Sequence, residues 1–172
     1  MNYVHKTDLE NLEPLINLIN AAYRGVDGPG RWTTENHLVQ GDRIDRNGLA
    51  VMIQDADTNF IVGYLNDTIS ACIAIKRYAD FVELGTFAVD PDFHGTGCGT
   101  ELLNYAESVA ADYSKLFQVS VVSKNTDLIA FYKRRGYQET GQRINYPSHL
   151  NVGKPKIDNL DLTLLQKSFF VI

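Results

Sequence analysis

Cysteine is scarce in this sequence. Cys72 and Cys98 stand alone, too few for a disulfide framework and without the CxxC spacing of a redox or zinc site. Histidine is scarce too: His5, His37, His94 and His149 are scattered, which argues against a Cys/His metal centre. No apolar run approaches the roughly 18 residues of a membrane span. Residues 1–6 lack the basic-then-apolar order of a signal peptide. Positive charge is in deficit: 16 Lys and Arg face 21 Asp and Glu, a net charge of -5. That is the wrong sign for a general nucleic-acid binder. These absences predict a soluble, cytoplasmic protein without a metal, directed at neither nucleic acid nor membrane.

What is present fits one ordinary globular domain over residues 1–172, with 44% hydrophobic and 22% charged residues and no internal repeat. Helical and strand patterns alternate, which points to an α/β or α+β fold. Residues 3–6 read as a first strand. Thr7-Asp8-Leu9-Glu10 reads as a capping box opening a helix. Leu9, Leu12, Ile16, Ile19 and Tyr23 then recur at helical spacing, widened by Leu15, Leu18 and Ala22. The glycines at 25–30 and Pro29 end it. Trp32-Thr33-Thr34-Glu35 predicts a second helix start, and 45–54 a further short helix. Residues 60–65 and 68–76 form a hairpin about an Asn66-Asp67 turn. Residues 81–89 are a strand broken by Asp90-Pro91-Asp92. Residues 99–113 return to helical period, 116–122 read as a buried strand, and 125–135 as a helix stopped at Gly136. Residues 137–140 and 160–167 are the last strands, with 143–159 between them read as a loop. Helical patterns therefore dominate about 8–55, a central core spans about 60–140, and a closing loop and strand take up 141–172.

One stretch carries chemistry. The 81–89 strand runs into His94-Gly95-Thr96-Gly97-Cys98-Gly99-Thr100, a glycine-rich turn that opens a helix. Such a turn aims successive main-chain N–H groups into one concavity, and the helix adds its own unpaired N–H groups. The result is a phosphate cradle without a lysine. It is not a P-loop, because no Gly-Lys-Ser/Thr occurs, and its GxGxG spacing is not the GxGxxG of a dinucleotide fold.

This turn resembles the (Arg/Gln)-x-x-Gly-x-Gly/Ala motif of the GNAT superfamily of acyl-CoA N-acyltransferases, with His94 in place of the usual Arg or Gln. A second segment, Asn125 through Tyr132 to Gly136-Tyr137, is similar to that family's N-x-x-A-x-x-x-Y-x-x-x-G-F, with Ala130 displaced. The resemblance covers 60–140 well and the ends loosely. It implies a mixed, mostly antiparallel sheet of six to seven strands flanked by helices and splayed after the fourth strand, the one at 81–89. It also implies acetyl-CoA as co-substrate, held by Phe87, Ala88, Val89, His94, Gly95, Thr96, Gly97, Cys98, Gly99, Thr100, Asn125 and Tyr132. No metal is implied. Tyr132 would protonate the departing thiolate. Asn125 and Tyr132, two helical turns apart, share a helix face.

Acyl transfer to an amine further needs an oxyanion donor and a base. Main-chain N–H groups at 87–89 are the candidates for the first. Glu83 is the candidate for the second; alternation puts it on one strand face with Gly85, Phe87 and Val89. Against that stands a surface glutamate paired with Lys76 or Arg77 across the hairpin. Cys98 reads as incidental to the chemistry. The acceptor, a small-molecule primary amine, would enter past Arg24, Trp32, Arg43 and Tyr146. Those arginines suit a carboxylate or phosphate, or serve only as surface. The resulting expectation is an acetyl-CoA-dependent N-acetyltransferase. The alternative is a non-catalytic acyl-CoA-binding sensor, and a homodimer is compatible with the family.

Overall fold

The computed structural model describes residues 1–25 and 34–169. Their elements are β1 (Asn2–Lys6), α1 (Leu12–Arg24), β2 (Val39–Gln40), α2 (Arg46–Gln54), β3 (Thr58–Leu65), β4 (Thr68–Arg77), β5 (Val82–Val89), α3 (Cys98–Ala110), β6 (Leu116–Val122), α4 (Thr126–Lys133), β7 (Gln138–Asn145), β8 (Lys154–Pro155) and β9 (Asp161–Ser168). Seven strands form one sheet in the order β1-β3-β4-β5-β6-β9-β7. Neighbours are antiparallel except β5 and β6, which run parallel. This is the mixed, mostly antiparallel sheet with flanking helices expected above.

The two-residue period of the strands sorts side chains between two cores. Ile61, Ile73 and Ile75 point to one face, under α3 and α4. Phe60, Val62, Cys72 and Ala74 point to the other, under α1 and α2. β4 is buried on both faces, which is why it reads as an unbroken apolar run. The β3–β4 hairpin turns at Asn66 and Asp67, both at positive φ (47° and 61°), as a two-residue primed turn requires.

The feature that shapes the rest is at β5. Its parallel pairing with β6 lasts two positions, Val82 with Phe117 and Glu83 with Gln118. β6 then continues along β9 for its whole length, while β5 bends away. The bend has a local cause. The β4–β5 register slips between Cys72 and Ala74, and on the β5 side Thr86 sits at φ 47°. A β-branched residue in that region is strained, and an extra residue in one strand bends it. The sheet splays after Glu83 as a result.

Four expectations need correcting. Thr7 does not cap α1. Pro14 can be accommodated only in the first turn of a helix, so α1 begins at Leu12 with Asn11 ahead of it at φ 51°, and Asp8 takes the Glu10 N–H instead (2.9 Å). Thr34 and Glu35 do not start a helix; one hydrogen-bonded turn, with Glu35 accepting from Leu38 and Val39, leads into β2. Residues 26–33, including Trp32 and Thr33 of that segment, lie outside the described residues. Glu83 does not share a face with Phe87 and Val89. The extra residue at the bulge inverts the alternation, so Phe87 and Val89 join Leu84 under α3. Finally, 143–159 is not all loop. β7 runs on to Asn145, and β8 pairs with β2 through Val39 to Pro155 and Gln40 to Lys154.

α4 ends in a Schellman arrangement. Tyr137 N–H donates to the Tyr132 carbonyl (3.2 Å), Gly136 N–H donates to Lys133 (3.1 Å), and Gly136 is at φ 91°. The Tyr132 and Tyr137 rings meet edge to face at 5.3 Å. An added Cβ at Gly136 would meet only the Lys167 side chain, at an ordinary 3.6 Å. The Gly136→Ala variant is therefore expected to pay only the left-handed backbone penalty, about 1–2 kcal/mol, with the fold retained. Urea unfolding monitored by circular dichroism measures it.

Candidate active site

Because β5 and β6 part, residues from both faces of the sheet line one cavity of about 300 Å³. Glu83, Gly85, Thr86 and Phe87 form one side and Ser120, Val121 and Val122 the other. Tyr132 and Leu128 come from α4, and Tyr23, Glu35 and Arg43 from the α1 side. Ile144, Tyr146, Pro147, Leu150, Val152 and Leu162 complete the wall. From Leu84 onward one edge of β5 has no strand partner among the described residues, so alternate main-chain N–H groups face the gap.

Glu83 is directed into this cavity. Lys76 lies opposite it in register but pairs with Asp55, and Arg77 pairs with Asp57 (3.6 Å). The cross-hairpin ion pair weighed for Glu83 is therefore not formed. Burial raises the Glu83 pKa above the usual carboxylate range, and the Gln118 side chain beside it pulls the other way. Gln118 itself accepts from Gln166 Nε2 (2.9 Å), which turns its own amide NH₂ toward Glu83.

Tyr132 is buried against Phe87, Phe131 and Tyr137 (centroids 6.2, 5.4 and 5.3 Å). Its hydroxyl has no hydrogen-bond partner among the described residues. Burial holds its pKa well above that of a free phenol, so it keeps its proton at neutral pH. Asn125 caps α4, its Oδ1 accepting from Leu128 N–H (3.2 Å), while its Nδ2 is buried without a partner among the described residues.

The glycine turn sorts into two kinds of glycine. Gly95 and Gly97 are at φ 75° and 91°, and an added Cβ at either would meet nothing within 4 Å. Gly99 is a packing glycine, since a Cβ there would approach Phe87 (3.3 Å), Val89 (3.6 Å) and Phe131 (3.8 Å). The first helical bond of α3 is Glu101 N–H to Gly97 (3.0 Å). The N–H groups of Cys98, Gly99 and Thr100 consequently have no acceptor among the described residues. His94 Nε2 bonds the Val89 carbonyl (3.0 Å), tying the turn to the end of β5. Thr96 Oγ1 donates to Phe93 O (2.6 Å) and lies 3.1 Å from the sulfur of the buried Cys98. The open turn, its free amides and the orphaned Asn125 amide suit a long ligand with a diphosphate at one end and amides along its length. Among the described residues no cluster of three or more His, Cys, Asp or Glu is arranged to hold a metal.

The acceptor-side candidates separate. Arg24 is fully engaged: its Nε donates to Gly41 O (2.8 Å), Nη1 to Glu35 (3.2 Å), and Nη2 to Val152 O (2.7 Å) and the Tyr146 hydroxyl (3.2 Å). Tyr146 donates in turn to Val152 O (2.7 Å). Arg24 thus clamps the cavity roof at 146–152. Asn151 Nδ2 adds a bond to Asp45 (2.8 Å). Arg43 and Tyr146 line the cavity, and Trp32 lies outside the described residues. Sequence reasoning missed Tyr23, Thr86 and the apolar roof residues. Tyr23 reads as one more position of the α1 stripe, and the roof residues follow no period.

A family model described as the acetyltransferase (GNAT) family matches residues 13–137. Solved structures share the fold. The smu.2055 protein of Streptococcus mutans UA159 is 16% identical with a TM-score of 0.73, over 98% of this chain and 99% of that one. The ribosomal-protein-alanine N-acetyltransferase of Brucella melitensis is 18% identical with a TM-score of 0.72, over 98% and 100%. The PaiA N-acetyltransferase of Thermoplasma acidophilum, in complex with coenzyme A, is 17% identical with a TM-score of 0.67, over 98% and 100%.

The clamp can be tested directly. The Arg24 and Glu35 side chains are only 8% and 7% exposed. Removing the cation strands a buried carboxylate, so Arg24→Ala is expected to lose about 3–5 kcal/mol of stability. The double variant Arg24→Met/Glu35→Leu should recover the part due to the stranded carboxylate, but not the part due to the Gly41 and Val152 carbonyls left without their donor. Denaturant midpoints of the three proteins decide the point.

Proposed function

The chain belongs to the GNAT acetyltransferase family, and from that premise we propose that it moves an acetyl group from acetyl-CoA to the primary amine of a small molecule by direct attack. The observation that carries this reading is the gap between β5 and β6. It brings a desolvated carboxylate, an unpartnered phenol and free strand amides to one cavity, next to a turn of open amides.

In this reading the amides of Gly95 and Gly97–Thr100 and the positive end of α3 hold the diphosphate, while the Thr96 N–H stays with Phe93 O (3.3 Å). The Asn125 amide donates to the pantetheine arm, and Phe87, Ala88 and Val89 pair with it through their main chain. Bound acetyl-CoA supplies the activated acyl carbon. Glu83 takes a proton from the acceptor amine, directly or through water. Main-chain N–H groups of 87–89 stabilise the carbonyl oxygen as negative charge develops there. The amine nitrogen bonds to the carbonyl carbon as the carbon–sulfur bond breaks, and Tyr132 gives its proton to the sulfur. The cavity's environment serves both groups. Desolvation makes Glu83 a stronger base than a surface glutamate and keeps Tyr132 in its acid form.

Acetyl-CoA, and not ATP, should raise the melting temperature of the protein. Tyr132→Phe is expected to keep that shift while losing roughly 10²-fold or more in turnover, the usual worth of a positioned acid. A shift with no thiol release from any amine would instead identify a binding module.

The pH dependence has a defined sign. Glu83 acts as the carboxylate, so kcat/KM should rise with pH through its raised pKa. That places the acid limb above the roughly 4.3 of an unperturbed glutamate. Glu83→Gln should remove the limb and lower the plateau, whereas a limb unchanged in the variant assigns the base elsewhere.

A further inference from the structure

Arg43 is the cation of the cavity that pairs with no carboxylate among the described residues. Its backbone is pinned: Asn20 Oδ1 accepts from the N–H groups of Arg43 (2.8 Å) and Ile44 (3.1 Å), and Asn20 Nδ2 donates to Ile44 O (2.9 Å). Its guanidinium lies 5.2 Å over the Tyr23 ring, and the residue as a whole is half-buried. Among the described residues that guanidinium has neither a hydrogen bond nor an ion pair. Arg24 differs in kind, because every branch of its side chain is committed to Glu35 and the roof. Glu35 is in contact with Arg24 and reaches Arg43 only through space, so the Arg43 guanidinium faces the cavity with no carboxylate in contact with it. A planar guanidinium held in place and unpaired is a receptor for a carboxylate.

The rest of the lining limits what carries that carboxylate. The cavity holds about 300 Å³, at the lower end of ligand sites, so the acceptor is compact. Ile144, Pro147, Leu150 and Val152 offer it an apolar roof. Glu83 and Tyr132, the groups that would meet the reacting amine, line the cavity along with Arg43. Building on the acetyltransferase reading, we infer that the acceptor is a free α-amino acid with an apolar side chain, its amine facing Glu83 and its carboxylate received by Arg43.

The test measures thiol release from acetyl-CoA with three acceptors that differ only at the carboxylate: L-phenylalanine, L-phenylalaninamide and phenethylamine. Wild type should favour the amino acid by roughly tenfold or more in kcat/KM, as expected for a charge-assisted pair. In Arg43→Ala that preference should collapse to within about twofold, through KM, and Arg43→Lys should restore part of it. The acetyl-CoA melting shift is recorded on the same samples. With the shift present, equal use of the three acceptors, use of none of them, or a preference retained in Arg43→Ala overturns the proposal and leaves cofactor binding intact. Absence of the shift together with absence of thiol release overturns the acetyltransferase reading, and this proposal with it.

Discussion

The site depends on one failure of pairing. β5 and β6 run together for two residues and then separate. An unbroken sheet would put Tyr132 and Arg43 on opposite sides of a wall, because α4 and α1 pack on opposite faces. The missing pairs make the wall a passage. They also leave strand amides without partners, a cost a sheet normally avoids. The Thr86 bulge sets where this begins: its left-handed backbone bends β5 away while β4 stays paired on the other side. Such strain persists only where surroundings enforce it. Here they do: Cys72 Sγ lies 3.7 Å from the Thr86 carbonyl, and the Thr86 hydroxyl lies 3.6 Å from Met52 sulfur.

A hole in a sheet would collapse or flood unless its rim were held. α1 holds it on one side through Arg24, which reaches 122 and 128 residues along the chain to Tyr146 and Val152. The short β2–β8 pair and the Asn151–Asp45 bond hold the same loop at its far end. On the opposite face Glu107 accepts from Tyr137 (2.8 Å) and Lys167 (2.6 Å), joining α3 to β9 beneath Tyr132. The Arg24 and Glu107 contacts are buried or half-buried and their partners satisfy one another, whereas the Asn151–Asp45 bond lies at the surface. Such contacts specify an arrangement more than they add net stability.

How much of this was legible follows from what each signal encodes. The β3–β4 hairpin, α3, α4 and β6 were readable because each rests on a local pattern: an Asn-Asp turn, a 3.6-residue stripe, an apolar run, an Asn cap with a glycine stop. The open turn at Gly95 and Gly97 was readable for the same reason, since positive φ favours glycine. The bulge was not, because Thr86 is an ordinary strand residue by type and nothing in its neighbours announces a left-handed backbone. That one residue inverted the faces assigned to Phe87 and Val89 relative to Glu83. The roles of Arg24 and Arg43 were equally hidden. They look alike in sequence, and only partners brought together by the fold, Glu35 and Gly41 nearby and Tyr146 and Val152 more than a hundred residues away, distinguish the spent arginine from the free one. The roof residues carry no periodicity, because a loop tied down by side-chain bonds needs none.

The same desolvation acts on Glu83 and Tyr132, and one upward shift serves two different roles. It pushes Glu83 upward, toward the range in which a carboxylate exchanges protons readily. It pushes Tyr132 upward as well, away from ionisation. Arg43 adds a positive charge to the cavity that holds Glu83. In the proposed reading an amine that also carries a carboxylate meets both groups: its carboxylate pairs with Arg43 while its ammonium is brought to Glu83, which takes the proton. A plain amine would meet Arg43 with nothing to pair it, and the neutral amine that attack on a thioester requires would then depend on Glu83 alone.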